Sequence, residues 1–420
     1  MTTENAAKQP DIIPVLIGAD LNCYHLARAF YEAYGVVSHA FGRYPIGVTM
    51  HSRFIRFKTV ADLDTDASFL QTLDTFAAAH SGADERLILM GCTDDYVNLI
   101  ARHKEQLRDR YIIPYNDIAL MDQFASKARF YECCETHGIP YPKTVVLKPD
   151  TPIDEARFLP ERLGFSYPII VKPANSIVYW KHPFDGMNKV YTADTPQQAM
   201  QIVQTIFASG YDDSVLLQDM IPGADCGMYV LTAYCNRQAK VEMMCLGHVL
   251  LEEHTPKGRG NHAAIITAYE PELMERFKNF LEAIGYVGFA NFDIKFDPRD
   301  GSFRAFEVNL RQGRSNYYVT AAGENIAACV VEDYVFGRIR EQTHMVQKEV
   351  LWTFIPRRII FRYTADPALV ARAKKLIREK RFCNSLFCRA DLRGNPKRFF
   401  YVCAHEYRHF KKYKTYCKRQ

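Results

Sequence analysis

The sequence has no long apolar run. Stretches such as Ile12 to Ile17 and Tyr167 to Val171 are strand-sized, far short of the roughly 18 to 20 residues a helix needs to cross a bilayer, so a transmembrane reading is excluded. No C-x-x-C pair occurs among the 12 cysteines, which scatter from Cys23 to Cys417; reduced, buried thiols are expected, with neither a disulfide framework nor a zinc site. No internal repeat is present, and 22 Gly and 20 Pro in 420 residues exclude a collagenous or low-complexity chain. The opening MTTENAAKQPD lacks the basic and apolar regions of a secretory signal, so a cytoplasmic location is expected. Neither a Ser/His/Asp motif nor a reactive-cysteine context is found, so covalent nucleophilic catalysis is not expected.

Acidic residues are scarce at one end. From Val346 to Gln420 there are 20 Lys and Arg against 5 Asp and Glu, a net of +15; of the chain's 53 basic and 48 acidic residues this leaves 33 and 43, a net of −10. The overall charge of +5 is therefore a basic tail on an acidic body. A basic segment attracts a phosphorylated substrate, an anionic membrane surface or nucleic acid. The interleaved aromatics of KRFFYVCAHEYRHFKKYKTY would permit base stacking.

A length of 420 residues, at roughly 150 per domain, predicts two to three domains. From Asp11 strands alternate with helices. IIPVLIG is a strand, and Leu26, Phe30 and Ala33 then recur at helical spacing; VVSHAF, RFIRFK and RLILMG are further strands, with helices at 67–79 and 94–107. This predicts a Rossmann-like parallel α/β domain over residues 1–117. Its first turn, GADLNCY, is not a G-x-G-x-x-G fingerprint. Asp20 and Asn22 sit there at the carboxyl end of a strand, where open α/β sheets bind ligands and where an Asp also caps a helix.

A mixed α+β region follows over 118–345, with lobes at 118–220 and 221–345. Its helix opens after Asp122 or Ser126 and puts Phe124, Ala128, Tyr131 and Cys134 on one face. Helices are also read at 196–209 and 271–284. A basic α+β extension over 346–420 is expected to hold strands at WTFIPRRIIFRY and RFFYVCAHEY and a helix near 366–380.

The most informative segment is FANFDIKFDPRDGSFRAFEVNLRQGRSN. Alternation places Asn291, Asp293 and Lys295 on one strand face and Ala305, Glu307 and Asn309 on the next, joined by the turn DPRDG. Two carboxylates and an amide oxygen on one face suit Mg2+, which takes one or two carboxylates and completes its shell with substrate phosphates. Lys172 ends the apolar strand IIVKPA, where an ammonium needs an anion. Lys127 opens a helix, so its charge and the helix N-terminus can meet one phosphate.

In this order, Lys127, Lys172, QDMIPGAD and FD…FEVNLR resemble the ATP-grasp superfamily over about residues 118–330. ADLNCYHLARAFYEAYG, KPANSIVYWKHPFDG, LLEEHTPKGRGNHAAIIT and EVNLRQGRSNYY extend the likeness to carboxylate-amine ligases of the D-aspartate ligase type. The resemblance implies an ATP-grasp fold and assigns Lys127 and Lys172 to the ATP phosphates. It assigns Gln218, Asp219 and the Ile221 backbone to adenine, and Asp225 to the ribose. It gives Asp293, Glu307 and Asn309 as ligands of Mg2+, two ions being expected. Arg311 falls near the transferring phosphate. Ser176 lies in the loop over the phosphates, which departs from the family in having one Gly and two bulky aromatics. Lys257, with Asn261 and His262, lies in a Gly-flanked stretch read as a mobile lid, and is taken with Arg311 as a catalytic cation. Asp20, Asn22, Arg314, Ser315 and Asn316 are candidates for substrate contact.

The activity so implied activates an amino-acid carboxylate as an acyl phosphate and transfers it to an amine: D-aspartate, onto the lysine side chain of a peptidoglycan precursor. The partners would be an amino acid, an anionic peptide precursor met by the tail, and by the same tail an anionic membrane surface; a homodimer is left open. Two rivals stay in view. One is a ligase making a small soluble dipeptide, and the other an ATP-binding regulator whose tail binds nucleic acid, against which the complete set of metal and phosphate residues argues.

Overall fold

A computed structural model describes residues 11–256 and 258–417, without the side chains of Ala125, Ser176 and Ile177. The expectations for Lys257 and for the Ser176 side chain fall outside the described residues. The chain forms two compact bodies. The first draws on three stretches, up to Ile118, Ala224–Phe292, and from Asn309 on; the second on Ala119–Gly223 and Asp293–Val308.

The first body contains the predicted parallel sheet, in the spatial order Ile55–Thr59, Ser38–Gly42, Asp11–Ile17, Glu85–Gly91, Tyr111–Ile112. Gly18 ends the central strand at φ 141, and a Cβ there would lie 2.7 Å from that of Cys92. Only glycine permits this turn and this closeness. Asp20 then caps the helix Leu21–Tyr34, its Oδ1 accepting from the Cys23 amide at 3.2 Å.

The same body holds the strands Met228–Cys235, Val241–Glu252, His262–Ala268 and Leu351–Thr353, each antiparallel to the next, with Phe382–Asn384 parallel at the edge. The basic segment is thus part of this body, not a separate domain, because two of its strands complete the sheet. The expected division at 220/221 and 345/346 is replaced by one in which 224–292 and the chain from Asn309 fold with the N-terminal sheet.

Two elements of that segment differ from expectation. In WTFIPRRIIFRY only Leu351–Thr353 is a strand, and Pro356 turns the chain into the helix Arg357–Tyr363. RFFYVCAHEY is not a strand but part of the 21-residue helix Pro396–Tyr416. Asn395 caps it, accepting from the Arg398 amide at 3.2 Å, and Pro396 occupies its first position. Arg398, Val402, His409 and Tyr413 recur at helical spacing and are buried. The β-forming aromatics suggested a strand, and the buried period of 3.6 prevailed.

The second body is built on a four-stranded antiparallel sheet, in the order Thr144–Leu147, Val215–Asp219, Ile169–Pro173, Tyr191–Ala193. The helix Pro196–Ala208 covers it through Ala199, Val203 and Ile206. The predicted helix after Ser126 is Lys127–Thr136, and Phe124 belongs to a preceding helix, Ile118–Ala125. The hairpin of Gly288–Asp297 and Ser302–Asn309 forms as read, its turn closed by the Gly301 amide on the Asp297 carbonyl at 2.9 Å.

Candidate active site

In the second body the predicted alternation of burial holds at Asp293, Ile294 and Lys295, where Ile294 is buried between two partly buried neighbours. On the next strand it does not, since Ala305, read on the face of Glu307, is buried while Phe306, Glu307 and Val308 are all partly so. Lys127, the first residue of its helix, places Nζ 3.1 Å from Glu307 Oε2. The Lys127 ammonium, with those of Lys189 and Lys172, holds the Glu307 carboxyl well below the usual range against the opposing effect of burial. Lys172 is buried near the end of its strand and donates to the Tyr131 hydroxyl at 3.1 Å. Burial pushes its pKa down to about 8, against the attraction of Glu307.

Tyr131 organises this cluster. Its hydroxyl donates to the Phe306 carbonyl at 2.8 Å and accepts from Lys172 and, at 2.9 Å, from Gln218 Nε2. One donor and two lone pairs are then all in use. The sequence placed Tyr131 only on a helix face; nothing in its spacing marked it as the link between Lys172 and Gln218.

The residues expected to read adenine have protein partners. Gln218 also donates to Thr144 Oγ1 at 2.8 Å. Asp219 accepts two hydrogen bonds from Arg299, at 3.1 and 2.6 Å, and the same guanidinium grips Asp297 in the hairpin turn. The Ile221 carbonyl accepts from Lys295 Nζ at 2.9 Å. Arg299 was legible only as a turn residue of DPRDG.

In the first body burial raises the pKa of the half-buried Asp20, while Arg314 and Arg311 oppose the rise. Asn22 is fully buried, donating to the carbonyls of Cys92 at 2.8 Å and Gln312 at 3.3 Å and accepting from Asn316 Nδ2 at 2.6 Å. Asn316 and Ser315 are also buried, and Asn22 with Asn316 forms a tie within the fold. Arg311 reaches Asp94 at 3.0 Å and the Gln312 carbonyl at 3.0 Å.

Arg314 lies over the Phe354 ring, 5.2 Å from its centre, and donates through Nη2 to Glu253 at 3.4 Å. Its buried Nη1 has no partner among the described residues. An unmatched guanidinium donor beside a buried carboxyl is suited to an incoming carboxylate or phosphate. His25, which sequence reasoning passed over, fixes the backbone there. Burial keeps it neutral; Nδ1 donates to the Arg314 carbonyl at 3.2 Å, and Nε2, 2.9 Å from Ser385 Oγ, accepts.

Asp225, expected at the ribose, uses Oδ2 to accept from the Glu252 amide at 2.9 Å and from His254 Nε2 at 2.7 Å. That hydrogen bond raises the pKa of His254. His262 is buried 3.7 Å from Glu252, and burial lowers it to about 4.

No group of three His, Cys, Asp or Glu side chains among the described residues forms a metal site by itself. Mg2+ asks for less. Glu307 stays ionised, and Asp293 on the adjacent strand is a second hard oxygen donor of the kind that holds this ion against phosphates.

No protein-family model matches the chain. It is 37% identical over 392 residues to a D-aspartate ligase of Enterococcus faecium, covering 92% of this chain and 93% of that one. An L-amino acid ligase from Bacillus licheniformis superposes with a TM-score of 0.54 at 15% identity, over 78% of this chain and 74% of its own. The biotin carboxylase domain of the Hydrogenobacter thermophilus 2-oxoglutarate carboxylase, solved as a dimer with MgADP, ADP and bicarbonate, superposes with a TM-score of 0.57 at 14% identity, over 79% and 71%. The two structures share the ATP-grasp fold with this chain, and identity running nearly end to end with the Enterococcus enzyme places it in a family: the chain belongs to the D-aspartate ligases, which are ATP-grasp carboxylate-amine ligases.

Proposed function

We propose that the protein uses ATP to join D-aspartate, through its β-carboxylate, to the lysine side-chain amine of a peptidoglycan precursor. The supporting observation is the cluster of Lys127, Glu307 and Lys172, in which a carboxylate is kept ionised by Lys127, Lys189 and Lys172 and cations stand where phosphates would be met. A carboxylate does not condense with an amine in water. Its oxygen attacks the γ-phosphorus, the bond to the β-phosphate oxygen breaks, and ADP leaves. The neutral amine then adds to the acyl carbon, phosphate departs, and the surplus proton of the nitrogen is released. Both steps require alignment and charge neutralisation more than a protein nucleophile.

In this reading Lys127 and Lys172 meet the phosphates, while Asp293, Glu307 and Asn309 would hold Mg2+, as two ions, which when bound would supply charge neutralisation for the phosphoryl group. Lys127 leaves Glu307 as nucleotide arrives, so the ion pair is a resting arrangement in which each partner keeps the other charged. Arg311 and Arg314 attract substrate anions, Arg314 through its unmatched Nη1.

Phosphate release measured with D- and L-amino acids, with and without a soluble precursor peptide, tests the reading. Release that needs D-aspartate and precursor together is expected. Turnover with free amino acids alone would replace it with the small-dipeptide reading.

Lys172 gives a pH prediction. Its ammonium binds phosphate, and its free-protein value is about 8 against an ordinary 10.5. Nucleotide affinity should therefore be constant below pH 8 and fall up to about tenfold per unit above it, with uptake of one proton. Calorimetry in two buffers of different ionisation heat detects that proton; a flat affinity from pH 7 to 9.5 would remove Lys172 from the phosphates. The same depression means that the free fold gains stability as pH rises from 8 towards 10.5, since only the unfolded chain still holds the proton.

A further inference from the structure

The helix Pro396–Tyr416 has an outer face that the ligase chemistry does not use. Its inner face is buried through Arg398, Val402, His409 and Tyr413. At about 100° per residue, the exposed residues divide into two arcs. Phe399, Phe400, Cys403, Tyr407 and Phe410 fall within one of about 100°, and Lys397, Arg408, Lys411 and Lys412 within the neighbouring one. Phe400 is 70% exposed and Tyr407 76%, values at which a core role is excluded. Lys414 stands in the aromatic arc on a stem long enough to lift its charge clear. The one acidic residue of the helix, Glu406, is half-buried and accepts from Asn384 Nδ2 at 2.8 Å. The outer face therefore carries no negative charge.

The adjoining loop is tied to the buried side of this helix: Arg398 donates to the carbonyls of Val48 at 2.7 Å and Met50 at 3.2 Å, which holds the exposed Met50 near the start of the helix. Aromatic side chains beside a row of cations, on a helix lying flat against its own protein, match the chemistry of a lipid interface, where rings enter the headgroup layer and cations meet anionic lipid. No helix among the described residues is long and apolar enough to cross a membrane. Nucleic acid fits less well, because the rings are gathered on one convex side and do not line a basic groove.

We propose that this face docks the protein on an anionic bilayer surface as a peripheral contact. The inference rests on the surface alone and does not depend on the ligase reading, so each is tested by a separate measurement.

Co-sedimentation of the full chain with phosphatidylglycerol vesicles, against phosphatidylcholine vesicles, is the test. Binding is expected only to the anionic vesicles, weaker at 0.5 M than at about 0.05 M salt. The pair Arg408→Gln and Lys411→Gln should lower the partition coefficient about tenfold or more, and the pair Phe400→Ser and Tyr407→Ser by a similar factor. The melting temperature and the affinity for ADP should stay unchanged in both. Equal binding to both lipids, binding untouched by the variants, or salt-sensitive binding to nucleic acid in place of vesicles would overturn the proposal. So would a dimer in light scattering that the same variants convert to monomer, since a second copy would then cover this face.

Discussion

Replacing Glu307 with Gln should cut ATP-dependent phosphate release about a hundredfold to a thousandfold, the range measured when one preorganised electrostatic contact to a transition state is removed. The shape is retained, and Gln can still accept from Lys127, whose Nζ lies 3.1 Å from Oε2. What disappears is a charge that three lysines keep ionised. Metal-free ADP should bind as well as before or more tightly, because Lys127 no longer has to leave a carboxylate to reach a phosphate. The two readouts move in different directions, and a misfolded variant would lose both. Unchanged turnover would take Glu307 out of the metal's ligand set.

The largest effect on stability is expected at Arg398 and Asp391, both with fully buried side chains and joined Nε to Oδ2 at 2.8 Å. Asp391 also accepts from the Tyr24 hydroxyl at 3.1 Å, Ser52 Oγ at 3.1 Å and the Arg53 amide at 2.8 Å. Arg398 stacks over the Tyr24 ring, 4.5 Å from its centre. Arg398→Ala leaves a carboxylate inside the protein without its cation, at a cost of about 3 to 5 kcal/mol. Asp391→Asn combined with Arg398→Met removes both charges and should recover much of that loss. Denaturation midpoints of the single and double variants give the comparison; a single variant within about 1 kcal/mol of the parent would show that water reaches the pair.

Much of the fold was legible because its elements are locally consistent. The parallel sheet follows from strands and helices alternating over the first 117 residues, and the hairpin from two alternating strands around DPRDG. Of the candidate site, the sequence pointed to Lys127, Lys172 and Glu307, since a lysine on an apolar strand and acids on a strand face both demand partners. It did not show that Asp219 serves Arg299, that Tyr131 joins Lys172 to Gln218, or that Asn22 and Asn316 bond to each other. Those pairings cross long sequence separations, and a side chain's chemistry does not say which of several acceptors it will meet. The helix Pro396–Tyr416 was misread for a related reason. Aromatics are favoured in strands, and the inward stripe that decides for a helix becomes evident only once there is a body for it to face.

The three-stretch composition of the first body has a consequence for the order in which the protein is made. Its parallel sheet leaves the ribosome first, but the strands Leu351–Thr353 and Phe382–Asn384 and the cation for Asp391 emerge only with the last fifth of the chain. Contacts of such high sequence separation form slowly. Until Leu351–Thr353 emerges, the edge of His262–Ala268 that pairs with it has no strand to cover it. A nascent chain stalled before Leu351 should thus be a far better chaperone client than one in which Leu351–Thr353, Phe382–Asn384 and Arg398 have all left the ribosome.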